Sequence, residues 1–400
     1  MNSTKLYLKE IGIINCVLFS LYFISPFNTG FIFGYLLLLS LLLKKDFLKK
    51  SFDIDFVILF FFSVVYSIFY SFDLSLGSQY IFIYAMFPMT FYLWGKYFVS
   101  KSNSPKNLFT LILLLGSIYS FVSLISILFD INRVGFVVLE RDVPMIWGGD
   151  PIPATGMGAY LLFNACIPAV LISRFKTSTI FPKILLIVLY ALTVYCVLRL
   201  GSRTQLLITV FTIIVSLFFI ISKQSAKKNI TIFAFLFLII NIGVKYLDID
   251  SKSDLISSYA SRMDNKNYGA ASAGGRTERW VKSINNLIQK PMGWELEEFG
   301  YSHNLWLDVL RIGGIISFFL LFIFTTRSLI QTRKALKLNK DNLILNNIIL
   351  VYMLAIFLQF FVEPIFEGMF HLFVLFCLLQ GITNSYKSKF VYKNAKKVIK

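Results

Sequence analysis

Tyr301-Ser302-His303-Asn304-Leu305-Trp306-Leu307-Asp308-Val309-Leu310-Arg311-Ile312-Gly313-Gly314 closes the one long polar interval of this chain and carries it back into apolar sequence. That interval opens at Tyr246, and its composition departs from everything around it. Nine apolar segments precede it and three follow, near 11–26, 29–43, 54–72, 78–98, 107–129, 154–173, 182–199, 204–222, 229–247, 303–326, 342–362 and 368–385. Each runs for roughly 15–23 residues, enough to cross a hydrocarbon layer of ~30 Å as a helix. The pattern predicts an all-α polytopic membrane protein with about twelve transmembrane helices and one long outer loop. Three regions follow from it: transmembrane helices 1–9 over 1–247, the loop over 248–302, and helices 10–12 with a basic tail over 303–400.

Composition supports the same class. Of 400 residues 57% are hydrophobic and 17% aromatic, with a mean hydropathy of +0.72, more apolar surface than a water-soluble domain can cover. Lys5 and Lys9 precede the first apolar run and no small-residue cleavage site follows it, so no cleaved leader is expected. Cys16, Cys166, Cys196 and Cys377 all lie in apolar segments and read as small core hydrophobes, not a disulfide framework. CxxC and HExxH spacings are missing, so neither a metal nor a cofactor is expected.

A net charge of +18 suggests nucleic acid until the charges are sorted by side. With the N-terminus inside, 26 of the 39 Lys and Arg and 5 of the 21 Asp and Glu fall on the inner side. The inner face is then +21 and the outer −3, which by the positive-inside rule places both termini in the cytoplasm and the long loop outside. No nucleic-acid partner is expected. Only Arg174, Arg327 and Arg333 are arginine among the inner cations, whereas Arg133, Arg141, Arg199, Arg203, Arg262, Arg276, Arg279 and Arg311 lie outside. Lysine suffices to anchor a loop to anionic headgroups, but arginine's planar fork binds phosphate bidentately. The switch points to an outer anion site. Ion pairing with the outer acids is the competing reading, expected for about half of these arginines.

Within the loop, Ser253 to Gly275 is rich in Ser, Asn, Ala and Gly, a flexible composition. An amphipathic helix is predicted over 276–290, between Gly274-Gly275 and Pro291. At 100° per residue Trp280, Ile284, Leu287 and Ile288 share one face, and Arg276, Arg279 and Lys282 an adjacent one. Such a helix would lie at the membrane interface with a cationic ridge at headgroup level, or serve only as an anchor. Arg199 and Arg203 flank an outer turn between two apolar helices, where charge is costly and functional by default. Asn304, Asp308 and Arg311 form one polar stripe reaching ~10 Å down the tenth helix, with Asp308 and Arg311 expected to pair. His303 sits beside the basic ridge and suits a general base, because an imidazole titrates near neutrality. His371, with Glu363 and Glu367, is a second candidate that no cation accompanies.

Gly201-Ser202-Arg203-Thr204, Gly275-Arg276-Thr277-Glu278-Arg279-Trp280, Pro291-Met292-Gly293 and Ser302-His303-Asn304, with Gly313-Gly314 behind, resemble the O-antigen polymerase and ligase superfamily. Their order and the topology fit as well, so the resemblance covers most of the chain. It implies a GT-C-like, metal-independent membrane glycosyltransferase that uses undecaprenyl-pyrophosphate-linked glycans at the periplasmic face of a bacterial inner membrane. Membrane lipids and a chain-length regulator protein are its implied partners. Arg203 and Arg276 match the family's pyrophosphate-binding arginines and His303 its loop histidine. The charge argument adds Arg199 and Arg279.

Richness in Phe, Ile, Asn and Lys resembles genes of glycan-specific surface-polysaccharide clusters and favours an O-antigen polymerase. The alternative within the family is a ligase that transfers glycan to lipid A-core. Outside it stands a lipid-linked oligosaccharide flippase, which would place charges along a central cavity and show related halves. No internal repeat is visible here.

Overall fold

The computed structural model describes residues 2–136, 142–174, 180–234 and 275–398. In chain order the helices are α1 (Asn2–Ile11), α2 (Ile13–Ile24), α3 (Gly30–Leu42), α4 (Lys45–Leu48), α5 (Ile54–Tyr70), α6 (Gln79–Lys101) and α7 (Pro105–Val134). Then come α8 (Ala154–Tyr160), α9 (Leu162–Ala165), α10 (Ile167–Arg174), α11 (Ile180–Leu200) and α12 (Arg203–Ile221). The last group is α13 (Arg276–Gln289), α14 (Leu305–Leu338), α15 (Leu343–Phe360), α16 (Ile365–Gly368) and α17 (Phe370–Val398). Among the described residues there is no strand, only an isolated antiparallel bridge between Val143 and Ile152.

Among the described residues five helices are long and apolar enough to cross a membrane: α7, α11, α12, α14 and α15. A sixth span arises if Lys5–Ile11 and Ile13–Ile24, bent by 83°, count as one. These helices suggest a membrane protein, and the apolar segments differ in how continuous their helices are. The segment at 154–173 is cut into α8, α9 and α10 at Leu161 and Cys166. Pro168 gives the last break a cause, since its ring removes the amide that would bond Asn164 and restricts the residue before it. The segments at 29–43 and 54–72 yield helices of 13 and 17 residues. The ninth predicted span at 229–247 lies beyond residue 234 for most of its length, outside the described residues. So do 248–274 of the loop, with Arg262, and also Arg141.

The chain divides into two units. The first comprises Met1–Leu115, Ser272–Ile349 and Ile356–Lys400. Its centre is the packing of α6 on α17, where glycines let backbones touch. A Cβ on Gly381 would lie 1.9 Å from the Tyr92 carbonyl oxygen, and one on Gly95 would lie 2.1 Å from that of Leu378. At one end of α5, α6, α14 and α17 a polar hub satisfies two acids. Asp53 accepts from Tyr92 (3.0 Å), Asn384 (3.1 Å) and Lys96 (2.6 Å), and its Oδ1 caps α5 through the Phe56 amide. Asp55 pairs with Arg327 and accepts from Asn384 at 2.8 Å. Asp55 is only 2% exposed, and a buried carboxylate left without such partners would be strongly destabilising.

The second unit comprises Gly116–Ala271 and Leu350–Ala355. Leu124, Ile127, Met157, Leu161, Cys196, Val197 and Leu200 form its apolar core. Hydroxyls span the helices where α8–α10 are interrupted: Ser123 donates to the Met157 carbonyl (2.8 Å) and Thr209 to that of Ala165 (3.1 Å). Across the whole chain all four cysteines are free, three of them buried, as small hydrophobes in these cores.

Candidate functional site

The first unit folds its polar sequence around the start of α14. Asn304 caps that helix, its side-chain oxygen accepting from the amides of Trp306 (3.2 Å) and Leu307 (3.3 Å), as an N-cap residue should. Just ahead of it His303 has φ +53°, in the left-handed region that a histidine rarely enters. Ten residues on, the helix breaks at Gly314 (φ +64°, ψ −175°), and the chain after α13 fills the break. Ile315 donates to the Pro291 carbonyl (2.8 Å) and Trp294 to that of Arg311 (3.1 Å). A Cβ at Gly293 would sit 2.2 Å from the same Arg311 oxygen. Pro291-Met292-Gly293 and Gly313-Gly314 therefore belong to one joint.

Helix α13 forms where its sequence predicts, between Gly275 and Pro291. Ile284 and Ile288, 57% and 83% exposed, turn outward with Val281. Trp280 and Leu287 are half-buried, and Ser283 and Asn286 are buried against the protein. The inner contacts are polar: the Trp280 indole donates to the Ser302 carbonyl (2.8 Å), Arg279 to that of Tyr301 (3.1 Å), and the Ser283 and Ser302 hydroxyls meet at 2.6 Å. A helix in water would bury the opposite face. The polar side is inward because it holds the 301–304 segment.

Charges converge on that segment. Glu363, 2% exposed, receives Arg276 on Oε1 at 3.2 Å and faces Nδ1 of His303 with Oε2 at 3.6 Å. The second distance is ion-pair range and too long for a hydrogen bond; both atoms are buried without another partner. His303 keeps 26% of its side chain exposed and Arg276 22%, so both reach the surface beside a buried carboxylate. About two turns further along α14, Arg311 binds Glu367, approaches Asp73 at 4.0 Å and lies 5.6 Å from the Tyr301 ring centroid. Burial pushes the Glu367 carboxyl above its ordinary range, against the lowering pull of Arg311, and raises the Tyr301 phenol.

Two expectations are corrected here. Asp308 and Arg311 do not pair. Asp308 is nearer to free amides and binds those of Ser302 (2.7 Å) and Asn304 (3.0 Å), while Arg311 reaches Glu367 across the fold. Nor do Glu363 and Glu367 stand without cations beside His371: each carries an arginine, and the His371 ring packs on Tyr22 at 4.9 Å.

The structure thus joins His303, Arg276, Glu363 and Arg279 around one segment, with Asp308, Arg311 and Glu367 beneath it. Arg199 and Arg203 belong to the second unit. Arg199 is buried and donates to Asp130 at 2.9 Å, a carboxylate that Arg133 also reaches at 3.4 Å. Arg203 opens α12 half-buried and has no ion pair among the described residues. Sequence spacing missed the His303–Glu363 approach, which joins positions sixty apart. It also missed the role of Asp308, although an acid one turn after an N-cap Asn is a local capping signal. No group of three or more potential ligands able to hold a metal occurs among the described residues. No protein-family model matches the chain, and no curated protein matches it.

Proposed function

We propose that the chain is a membrane-embedded glycosyltransferase, an O-antigen polymerase by resemblance. It would join undecaprenyl-pyrophosphate-linked repeat units at the periplasmic face of the inner membrane, with about twelve spans and both termini cytoplasmic. The observation that carries this reading is Glu363 lying between Arg276 and His303.

The chemistry needs an acceptor hydroxyl made nucleophilic and a departing pyrophosphate whose charge is met. As the acceptor oxygen bonds to the donor's anomeric carbon, the bond from that carbon to the pyrophosphate oxygen breaks, and the hydroxyl proton passes to His303. With Nδ1 turned to Glu363, a proton on Nδ1 leaves the Nε2 lone pair as acceptor, and the carboxylate stabilises the imidazolium that forms. Arg276 uses one terminal nitrogen on Glu363. Its remaining N–H donors are available to the leaving pyrophosphate, where a fixed guanidinium offsets developing charge.

The outward apolar side of α13 fits this chemistry. Val281, Ile284, Ile288 and the adjacent Met292 are exposed, a surface suited to the lipid boundary where a carrier-bound substrate resides.

Purified protein in nanodiscs, given only the lipid-linked repeat unit, should form polymer without added metal. His303→Ala should slow it about 10²- to 10⁴-fold. Single repeats on lipid A-core in a deletion strain support a polymerase. Long chains left on the carrier would instead identify a ligase, and lipid-linked repeats trapped on the cytoplasmic face a flippase.

A further inference from the structure

We infer that Asp308 is a positioning residue: its buried carboxylate holds His303 in place by gripping the backbone on both sides of it. This rests on His303 being the general base. Oδ1 accepts from the Ser302 amide at 2.7 Å and Oδ2 from the Asn304 amide at 3.0 Å. Those two amides bracket Ser302 and His303, and His303 stands at φ +53°.

A left-handed histidine persists only where its surroundings over-determine it. Here both neighbouring amides are fixed by one side chain that is 2% exposed. The common capping box sends the side chain of the third helical residue back to the N-cap amide. In α14 the fourth residue, Asp308, does so and also reaches the amide two positions before the cap. That extra reach takes the carboxylate past His303. The rest of the segment is held from α13, by Trp280 and Ser283 on Ser302 and by Arg279 on Tyr301. None of those contacts fixes the amide after His303; Asp308 does. With the backbone locked on both sides, Nδ1 is directed to Glu363, and the rest of the ring is left to the substrate.

Asp308→Asn keeps the shape but opposes an NH₂ group to one of the two amide donors. Two measurements in nanodiscs test it. The first is residue-resolved modification of the two histidines by diethyl pyrocarbonate at fixed pH, with His371 as internal reference. His303 should react several-fold faster in Asp308→Asn while His371 and the unfolding temperature stay near wild type. The second is a double-mutant cycle on turnover: Asp308→Asn should slow the wild type yet cost nothing further in a His303→Ala background, since residues that act as a unit are not additive.

Unchanged His303 reactivity in a folded variant, or costs that multiply in the cycle, would overturn the inference. If Asp308→Asn does not accumulate, Asp308→Glu, which keeps the charge but cannot match both amides, takes its place with the same outcomes. If even the wild type makes no polymer, the glycosyltransferase reading fails by itself, and the modification rates still decide whether Asp308 positions His303.

Discussion

Glu363→Gln separates the chemical and structural roles of the carboxylate between Arg276 and His303. The change is isosteric at a side chain only 2% exposed, so it opens no cavity. Its oxygen can still accept from Arg276 at 3.2 Å, but as a neutral acceptor. Charge-assisted hydrogen bonds contribute about 1.5–3 kcal/mol and neutral ones about 0.5–1.5, so the stability loss should be about 1 kcal/mol. The effect on His303 is larger. The amide NH₂ placed against Nδ1, 3.6 Å from the present Oε2, donates where the carboxylate accepted. That moves the ring proton to Nε2, the wrong tautomer for a base facing substrate. Loss of the base costs about 10²- to 10⁴-fold in rate, or roughly 3–5 kcal/mol of barrier at 1.36 kcal/mol per decade.

The assay is turnover of lipid-linked repeats in nanodiscs beside thermal unfolding of the same preparation. Turnover should fall by at least ~10²-fold while unfolding shifts slightly. Wild-type turnover in a folded variant would refute the tautomer argument. A collapse of stability matching the loss of turnover would make Glu363 an ionic lock on α13 and nothing more.

Three further outcomes are expected. Arg199→Leu strands buried Asp130 with only the exposed Arg133 at 3.4 Å, costing about 3–5 kcal/mol. Adding Asp130→Leu should restore accumulation and polymer length, and restored protein without polymer would return Arg199 to the pyrophosphate. Gly293→Ala places a Cβ 2.2 Å from the Arg311 carbonyl oxygen at φ +109° and should cost about 3 kcal/mol, read by thermal unfolding. Arg203→Lys keeps the charge but loses the fork, so chains should shorten at equal protein level; wild-type lengths would count against bidentate binding.

What the sequence made legible was local. Helix α13 was predicted over 276–290 and spans Arg276–Gln289, because Gly275 and Pro291 bound it from adjacent positions. The all-helical class followed from the length of the apolar runs. Breaks inside a run, such as that before Pro168, were not legible, since hydropathy averages over them. The wheel of α13 separated its apolar face from its arginines, but the contacts of Trp280, Ser283 and Arg279 with the 301–302 segment were not legible, because a helical wheel names no tertiary partner.

Charge partners were the least legible feature, for a reason visible in Arg311. Three residues from Asp308 on one helix, it had an obvious neighbour, yet Asp308 was already engaged by the amides at the helix start and Arg311 turned to Glu367. Helix-surface rules give which charges can meet; backbone amides and distant carboxylates decide which do. The same competition bears on the arginines assigned to the outer side. Arg133, Arg199, Arg276 and Arg311 each meet a carboxylate, and Arg279 meets a carbonyl. Ion pairs thus account for four of the eight outer arginines, the half expected from sequence, and in the buried ones a planar, weakly hydrated guanidinium outperforms an ammonium. The case for anion binding consequently rests on donors that remain after pairing. Arg199 is buried and already paired with Asp130, whereas Arg276 reaches the surface with only one nitrogen committed. Loss of polymer in a folded Arg276 variant therefore tests the anion site, and loss of polymer in an Arg199 variant does not until its fold has been restored.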